Sequence, residues 1–496
     1  MIKKYIGALY ITVLFLFLLG YFLTASRFDK NGLEYFFLTI LTIISCCLLL
    51  LYIYKPITFG LPIWIMLSYF IIAYYLKFYW LIFNPNFASQ RFYLLPQMID
   101  SEEILISTYR IVTYSFVGFC TIAWIFLNKI KTKKIDLLFQ RIDSNKIIYW
   151  KQLNLFILPL VFILIFFSNY LMYSKNIAIM GAKSVYLPFR LSGITFYIAT
   201  AIIPGILLLL LWVNYQKKPK IYFILSICFL ILHVLIQTLL RSSKGVIIGL
   251  LMLLFFMLMI KRVRFSRGKL FLFIISTLLI FVFYPIIGTY RGIRVINPKA
   301  GLFSGISKAI MILTSNSDGG FKNIFVNTFN SMFHRLTGVE SLMMIIAKDF
   351  RPLGIGALKI FPIFGGYGLA KIFTLEVEGI PEYIITSSAT SFLGWFYMVG
   401  GYWFAIFGPI LLISIIWTVW LWILKANLKC KPIALILFLS MFVDWILDGC
   451  LDMIFHWGSL STILVIIFCE LLLRTLGNES LISNNYKYVK RRVGQT

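Results

Sequence analysis

The sequence predicts an all-α, polytopic integral membrane protein with about twelve transmembrane helices and one large extracytoplasmic loop between the ninth and tenth. Composition points there first. Of 496 residues, 61% are hydrophobic and only 13% charged, too little polar surface to clothe a water-soluble fold. Patterning agrees, because stretch after stretch runs for about 18 or more residues with few or no charges, enough to cross about 30 Å of hydrocarbon as a helix. The whole chain, 1–496, reads as a single membrane domain, with 289–400 as a loop or cap within it.

The spans fall near 5–25, 33–54, 60–83, 106–127, 152–172, 193–214, 221–240, 245–260, 269–288, 401–424, 432–455 and 457–474. The eighth is short, and the eleventh and twelfth are nearly continuous. The first apolar run ends without a small-residue cleavage motif, so it reads as a span and not as a cleaved signal. Sidedness follows from Lys and Arg, which gather in cytoplasmic connections. One set of connections holds Lys3 and Lys4, "NKIKTKKIDLLFQRIDSNK" (128–146), "QKKPK" (216–220), "KRVRFSRGK" (261–269), "KANLKCK" (425–431) and "YKYVKRR" (486–492). That set is expected inside, with both termini. The other set is expected outside: 26–32, 84–105, 173–192, 241–244, 289–400 and 455–457.

The net charge of +28 is accounted for by those short basic loops, so no nucleic-acid partner is expected. The seven cysteines lie in or beside apolar runs without metal-ligand spacing and read as small packing residues. No phosphate-cradling Gly loop followed by Lys-Ser/Thr occurs, no paired His or Cys spacing argues for a metal, and no nucleophile elbow surrounds a serine. Neither a metal nor another cofactor is expected.

What stands out instead is positive charge on the outer side, against the usual bias. Two clusters dominate, "RSSK" (241–244) with Arg241 and Lys244, and "YRGIRVINPKAG" (290–301) with Arg291 and Arg294. The four-residue turn holds Arg241 and Lys244 near the hydrocarbon boundary, where unpaired charge is costly, so each should have an anionic partner, a protein carboxylate or a ligand. Guanidinium forks match phosphate oxygens, and the start of the eighth helix adds hydroxyls, amides and a favourable dipole. The plainer alternative is that Ser243 caps that helix while the charges snorkel to lipid headgroups.

The loop 289–400 keeps apolar residues at a spacing that suits short amphipathic helices, and a folded cap at the interface is expected. Within it, "FHRLTGVES" (333–341) holds His334 and Arg335. His334 or Glu340 could serve as a base with Arg335 as a phosphate ligand. For Glu340 the preferred reading is structural, since Thr337 and Glu340 have the spacing of a capping box opening a helix through Met344. In "VDWILDGCLDMIFHW" (443–457), Asp444, Asp448, Asp452 and His456 recur every four residues and form one stripe on a helix. Carboxylates in or near the bilayer are functional by default, as counter-ions, an acceptor-binding surface or a proton relay. The alternative leaves only Asp444 inside the membrane.

With these residues in view, the chain resembles the bacterial O-antigen and oligosaccharide repeat-unit polymerases, the Wzy-type family. The resemblance covers the layout of spans and loop and rests locally on two stretches. "RSSKGVIIGLLMLL" (241–254) resembles the family's Ser-(Arg)-Gly start to an inner span, with Lys244 where arginine is common. "TSSATSFLGWFYMVGGYWFAIFGPILLI" (386–413) resembles the family's Thr/Ser–Phe–x–Gly–x–x–Tyr–x–x–Gly pattern, with Trp395 where an acidic residue often stands. The resemblance implies a multi-pass protein of the bacterial inner membrane, a glycosyltransferase working at its outer face on polyprenyl-diphosphate-linked oligosaccharide without nucleotide or metal. It also implies working partners such as a flippase and a chain-length regulator. On that reading Arg241, Lys244, Arg291, Arg294 and Arg335 hold the diphosphate, His334 or Asp448 takes the acceptor proton, and Asp452 and His456 contact the acceptor. Competing readings are a lipid-linked oligosaccharide flippase or other transporter, for which the acidic stripe would be the relay, and a lipid-glycan ligase or acyltransferase.

Overall fold

The computed structural model describes residues 2–52, 60–84, 98–129, 150–177, 191–215, 220–241, 245–260, 285–294, 302–315, 338–360, 368–379, 390–448 and 459–475. Among them all regular structure is helical, as hydrocarbon demands of a chain that must satisfy its own backbone. Eight helices among the described residues are long and apolar enough to cross a membrane: Tyr10–Arg27, Gly32–Leu50, Leu61–Phe83, Glu102–Asn128, Asn154–Ser174, Leu191–Asn214, Ile221–Arg241 and Phe392–Lys425. They match eight of the expected spans. Of the remaining four, Gly245–Ile260 is a helix of 16 residues, and most of 269–288 lies outside the described residues. Lys431–Asp448 and residues 459–475 are also helical.

The span expected at 401–424 is the second part of a longer helix, Phe392–Lys425, broken at Gly401 (φ 76°). That φ is open to glycine at no steric cost. Before the break, Phe392, Leu393 and Met398 are buried; after it, Trp403, Phe407, Leu411 and Trp422 are exposed. The segment before the break is buried nearly all round, whereas the one after it has one buried face, with Ala405, Trp417 and Trp420, and one exposed face suited to lipid.

The chain separates into two compact units. The first comprises Met1–Phe139, Leu336–Trp422 and Met441–Ser459. Its Gly32–Leu50 helix buries Tyr35, Leu38, Thr39, Thr42, Cys46 and Leu49, one face at helical spacing. Across that face a ladder of hydroxyls replaces water. Thr24 and Tyr35 share a hydrogen bond of 2.6 Å, Thr39 and Tyr109 one of 3.0 Å, Thr42 and Tyr75 one of 3.1 Å, and Tyr79 and Tyr109 one of 3.1 Å. Such contacts hold membrane helices together where apolar burial supplies no drive. At one end the guanidinium of Arg110 meets Glu34 through both its Nε (2.7 Å) and Nη2 (2.9 Å), and Glu102 accepts from the Asn31 backbone at 2.6 Å. The starts of the Gly32–Leu50 and Glu102–Lys129 helices are thus joined.

Deep in this unit, Lys77 and Glu340 form an ion pair, each side chain only 1% exposed. Lys77 follows a π-helical stretch, Phe70–Leu76, and Glu340 stands on the Val339–Ala347 helix, of which Val339, Leu342, Met343 and Ile345 are fully enclosed. The loop spacing suggested an interfacial amphipathic helix; this one is buried on every face against Leu61–Phe83 and Glu102–Lys129. Its N-cap is Gly338, without a side-chain cap, so Glu340 is the second helical residue and not the third that a capping box requires. The capping reading is therefore corrected: the carboxylate is engaged by Lys77 instead. A Cβ at Gly338 would collide with the Ala73 carbonyl of the π-helical stretch, so glycine is what lets the two segments approach so closely.

The second unit comprises Gln140–Arg335, Ile423–Ser440 and Leu460–Thr496. At its centre Ile203–Asn214 is buried nearly all round, the mark of an interior helix. Trp150–Ser174 and Ile221–Arg241 pack against it. Asn154 and Asn214 exchange amide hydrogen bonds of 2.8 and 2.6 Å.

Breaking a buried pair strands one charge, a loss of about 3–5 kcal/mol, whereas replacing both members with apolar residues is often neutral. Lys77→Met and Glu340→Gln are each expected to lower the thermal midpoint sharply in detergent, and Lys77→Met/Glu340→Leu to recover most of it. Single variants as stable as the native protein would show that the pair is not what closes this unit.

Candidate functional site

The Ile221–Arg241 helix carries the first basic cluster at its end. Its buried residues, Ser226, Leu230, His233, Val234, Gln237, Thr238 and Leu240, recur at helical spacing and turn a polar stripe inward. At the last residue, the Arg241 guanidinium lies 5.0 Å from the centre of the Phe196 ring, a cation–π arrangement. Residues 285–294 form a helix that carries the second cluster. There Arg294 is only 7% exposed, and its Nη1 donates to the Leu240 carbonyl at 3.2 Å. Leu240 immediately precedes Arg241, so this hydrogen bond brings Arg294 to the end of the helix that carries Arg241.

The same helix supplies the floor. Tyr290 is buried and its ring stands 5.7 Å from the Arg294 guanidinium. Burial raises the Tyr290 phenol above its ordinary value, against the opposing pull of the Arg294 charge. The Leu302–Ser315 helix closes over the ring through Gly305, where a Cβ would fall 2.6 Å from the Tyr290 Cε2. Arg291 is half-buried on the same helix as Arg294.

Among the described residues, neither Arg241 nor Arg294 meets a carboxylate at ion-pair distance. Among the described residues they meet a carbonyl oxygen and two aromatic faces, and the Arg294 Nε meets no hydrogen-bond acceptor there. A guanidinium offers five donors in a planar fork. A guanidinium of this kind, buried at Arg294 and half-buried at Arg241, and not neutralised by the groups described around it, is chemically suited to pair with a phosphate or carboxylate.

The other expected site residues are placed unevenly. Lys244, His334, Arg335, Asp452 and His456 lie outside the described residues. Asp448 ends the Lys431–Asp448 helix, and Asp444, one turn before it, is exposed. Both belong to the first unit, whereas Arg241, Arg291 and Arg294 belong to the second.

Polar residues that the sequence reading passed over also matter. Lys77 was legible as a cation within a span, which is a signal by itself. Around its ion pair the Tyr74 hydroxyl accepts the Leu393 N–H at 2.8 Å, and Ser391, held at φ 62°, takes the Gly394 N–H on its Oγ at 3.2 Å. Gly394 also lies against the Ile345 side chain. The Ser391–Phe–x–Gly394 pattern therefore has a local physical use: it caps the Phe392–Lys425 helix and lets it dock on the helix that carries Glu340. In the second unit, His233 donates from Nε2 to the Ala199 carbonyl at 2.6 Å, and the Gln237 amide donates to Asn169 Oδ1 at 2.7 Å.

The chain was compared with known protein families, with curated proteins and with solved structures, and it matches none of them.

Arg294 does two structural jobs, capping a helix-terminal carbonyl and covering Tyr290. Arg294→Ala is expected to cost roughly 1–3 kcal/mol of stability, the usual loss when a buried acceptor is left unfilled. Arg294→Lys should recover part of that. Thermal unfolding of the three proteins in the same detergent checks it, and an alanine variant of native stability would assign the arginine no structural role.

Proposed function

We propose that the chain is a membrane glycosyltransferase that polymerises polyprenyl-diphosphate-linked oligosaccharide repeat units at the outer face of the bacterial inner membrane. The observation that supports this reading best is the Arg294 hydrogen bond to the Leu240 carbonyl. It gathers Arg241 and Arg294 at one helix end with no carboxylate beside them among the described residues. An anionic headgroup at a membrane boundary is the ligand such a site suits, and the leaving group of this reaction is one.

The chemistry runs as follows. A hydroxyl of the acceptor repeat unit attacks the anomeric carbon of the donor glycan, forming the new glycosidic bond. The bond from that carbon to the diphosphate oxygen breaks, and polyprenyl diphosphate departs with the electron pair. Arg241, Arg291 and Arg294, with Lys244 and Arg335, stabilise the charge that develops on the leaving oxygens. His334 receives the hydroxyl proton. No nucleotide sugar enters, since the donor already carries its activated bond. A flippase that delivers repeat units and a protein that sets chain length are the partners this chemistry calls for.

In vesicles containing only the purified protein and lipid-linked repeat units, the glycan should lengthen without added nucleotide or metal. Arg241→Ala and Arg291→Ala should each lower elongation by about 10²–10³-fold, the effect of removing one preorganised donor to a developing oxyanion, while the protein stays inserted and folded. Native chain length in both variants would remove the leaving-group assignment. Movement of the substrate across the bilayer without elongation would favour a flippase, and transfer to a different lipid acceptor a ligase.

A further inference from the structure

We propose that His233 is a positioning residue for the anion site, acting through the backbone of a neighbouring helix to set the aromatic support beneath Arg241. The inference rests on the reading of that site given above.

It begins with a register fault in Leu191–Asn214. Residues Ile198–Ile202 are π-helical, and the Ile203 N–H bonds to the Ile198 carbonyl, five residues back. In an α-helix that N–H would have gone to Ala199. The next residue, Pro204, has no N–H to give. The Ala199 carbonyl is thus released from its own helix, and in a bilayer such a group needs another donor. His233 Nε2 supplies it at 2.6 Å, with His233 1% exposed and Ala199 fully enclosed. Because a carbonyl only accepts, Nε2 carries the proton. The arrangement is specific to a side chain with an N–H at that reach.

A π-turn inserts one extra residue, which swings the preceding turn by roughly 100° relative to an uninterrupted helix. Phe196 sits in that preceding turn. Its backbone carbonyl takes the Thr200 hydroxyl at 2.9 Å, and its ring packs on the buried cluster of Met172, Ile177 and Ala199. The Arg241 guanidinium lies 5.0 Å from the centre of the same ring. Between His233 and Arg241 on the same helix, Gln237 donates to Asn169 Oδ1 at 2.7 Å and to Met172 Sδ at 3.3 Å, tying in the third helix. Holding the Ala199 carbonyl therefore holds the π-turn, the π-turn sets the direction of Phe196, and Phe196 supports the guanidinium.

The test uses the full-length protein in detergent micelles and binding of a polyprenyl diphosphate as the probe. His233→Leu, which cannot donate, should weaken binding roughly tenfold or more, the size of effect that loss of one buried hydrogen bond carries. His233→Gln, whose amide can donate to Ala199, should restore most of it. The double variant His233→Leu/Arg241→Ala should bind no more weakly than Arg241→Ala alone, because residues acting through one another are not additive. Native binding by His233→Leu while Arg241→Ala is weak, or losses that simply add, would overturn the role of His233. Native binding by Arg241→Ala would overturn the site reading and this inference with it. Should the leucine variant fail to fold, Phe196→Leu keeps the π-turn and removes the ring: weakened binding supports the inference, and native binding overturns it.

Discussion

A polar group inside hydrocarbon must find its partner within the protein, and the described structure is organised by that requirement. In the first unit it places a lysine against a glutamate that is 263 residues distant in sequence and strings tyrosine and threonine hydroxyls between helices. In the second it sends a histidine to a carbonyl that a π-turn has released. Apolar packing fills the remaining space, but it is non-directional. The polar contacts decide which faces of these helices meet.

The same requirement explains the character of the candidate site. Arg294 is enclosed and gives one N–H to a helix-terminal carbonyl, while its remaining donors and those of Arg241 are not met by carboxylates among the described residues. A fully neutralised pair, such as Lys77 with Glu340, closes a unit. A pair of like charges supported on aromatic rings leaves binding capacity in reserve. The two units thus show opposite uses of costly charge.

Much of this was legible in the chain. Long uncharged runs predicted eight of the helices among the described residues, because span length is fixed by bilayer thickness. The start expected at residue 401 coincides with the Gly401 break. Arg294, from the second basic cluster, reaches the Leu240 carbonyl, one residue before the first cluster begins. Other features were hidden for physical reasons. Periodicity cannot show a π-turn, which is a local fault in the period. Thr337 and Glu340 have capping-box spacing, but the helix starts at Val339 after Gly338, and no local rule announces a partner as remote as Lys77. His233 lay in an apolar run where its use depends on the Ala199 carbonyl, a backbone atom that no side-chain motif reveals.

The burial of Val339–Ala347 among helices from the first 129 residues has a consequence for biogenesis. Ribosomes deliver Leu61–Phe83 and Glu102–Lys129 long before Glu340 exists, so Lys77 enters the bilayer as a cation without this counter-ion. The first unit cannot reach its final packing until some 260 further residues have been made. Synthesis halted before that point would leave a membrane-inserted fragment with an exposed intramembrane charge, a natural mark for quality control.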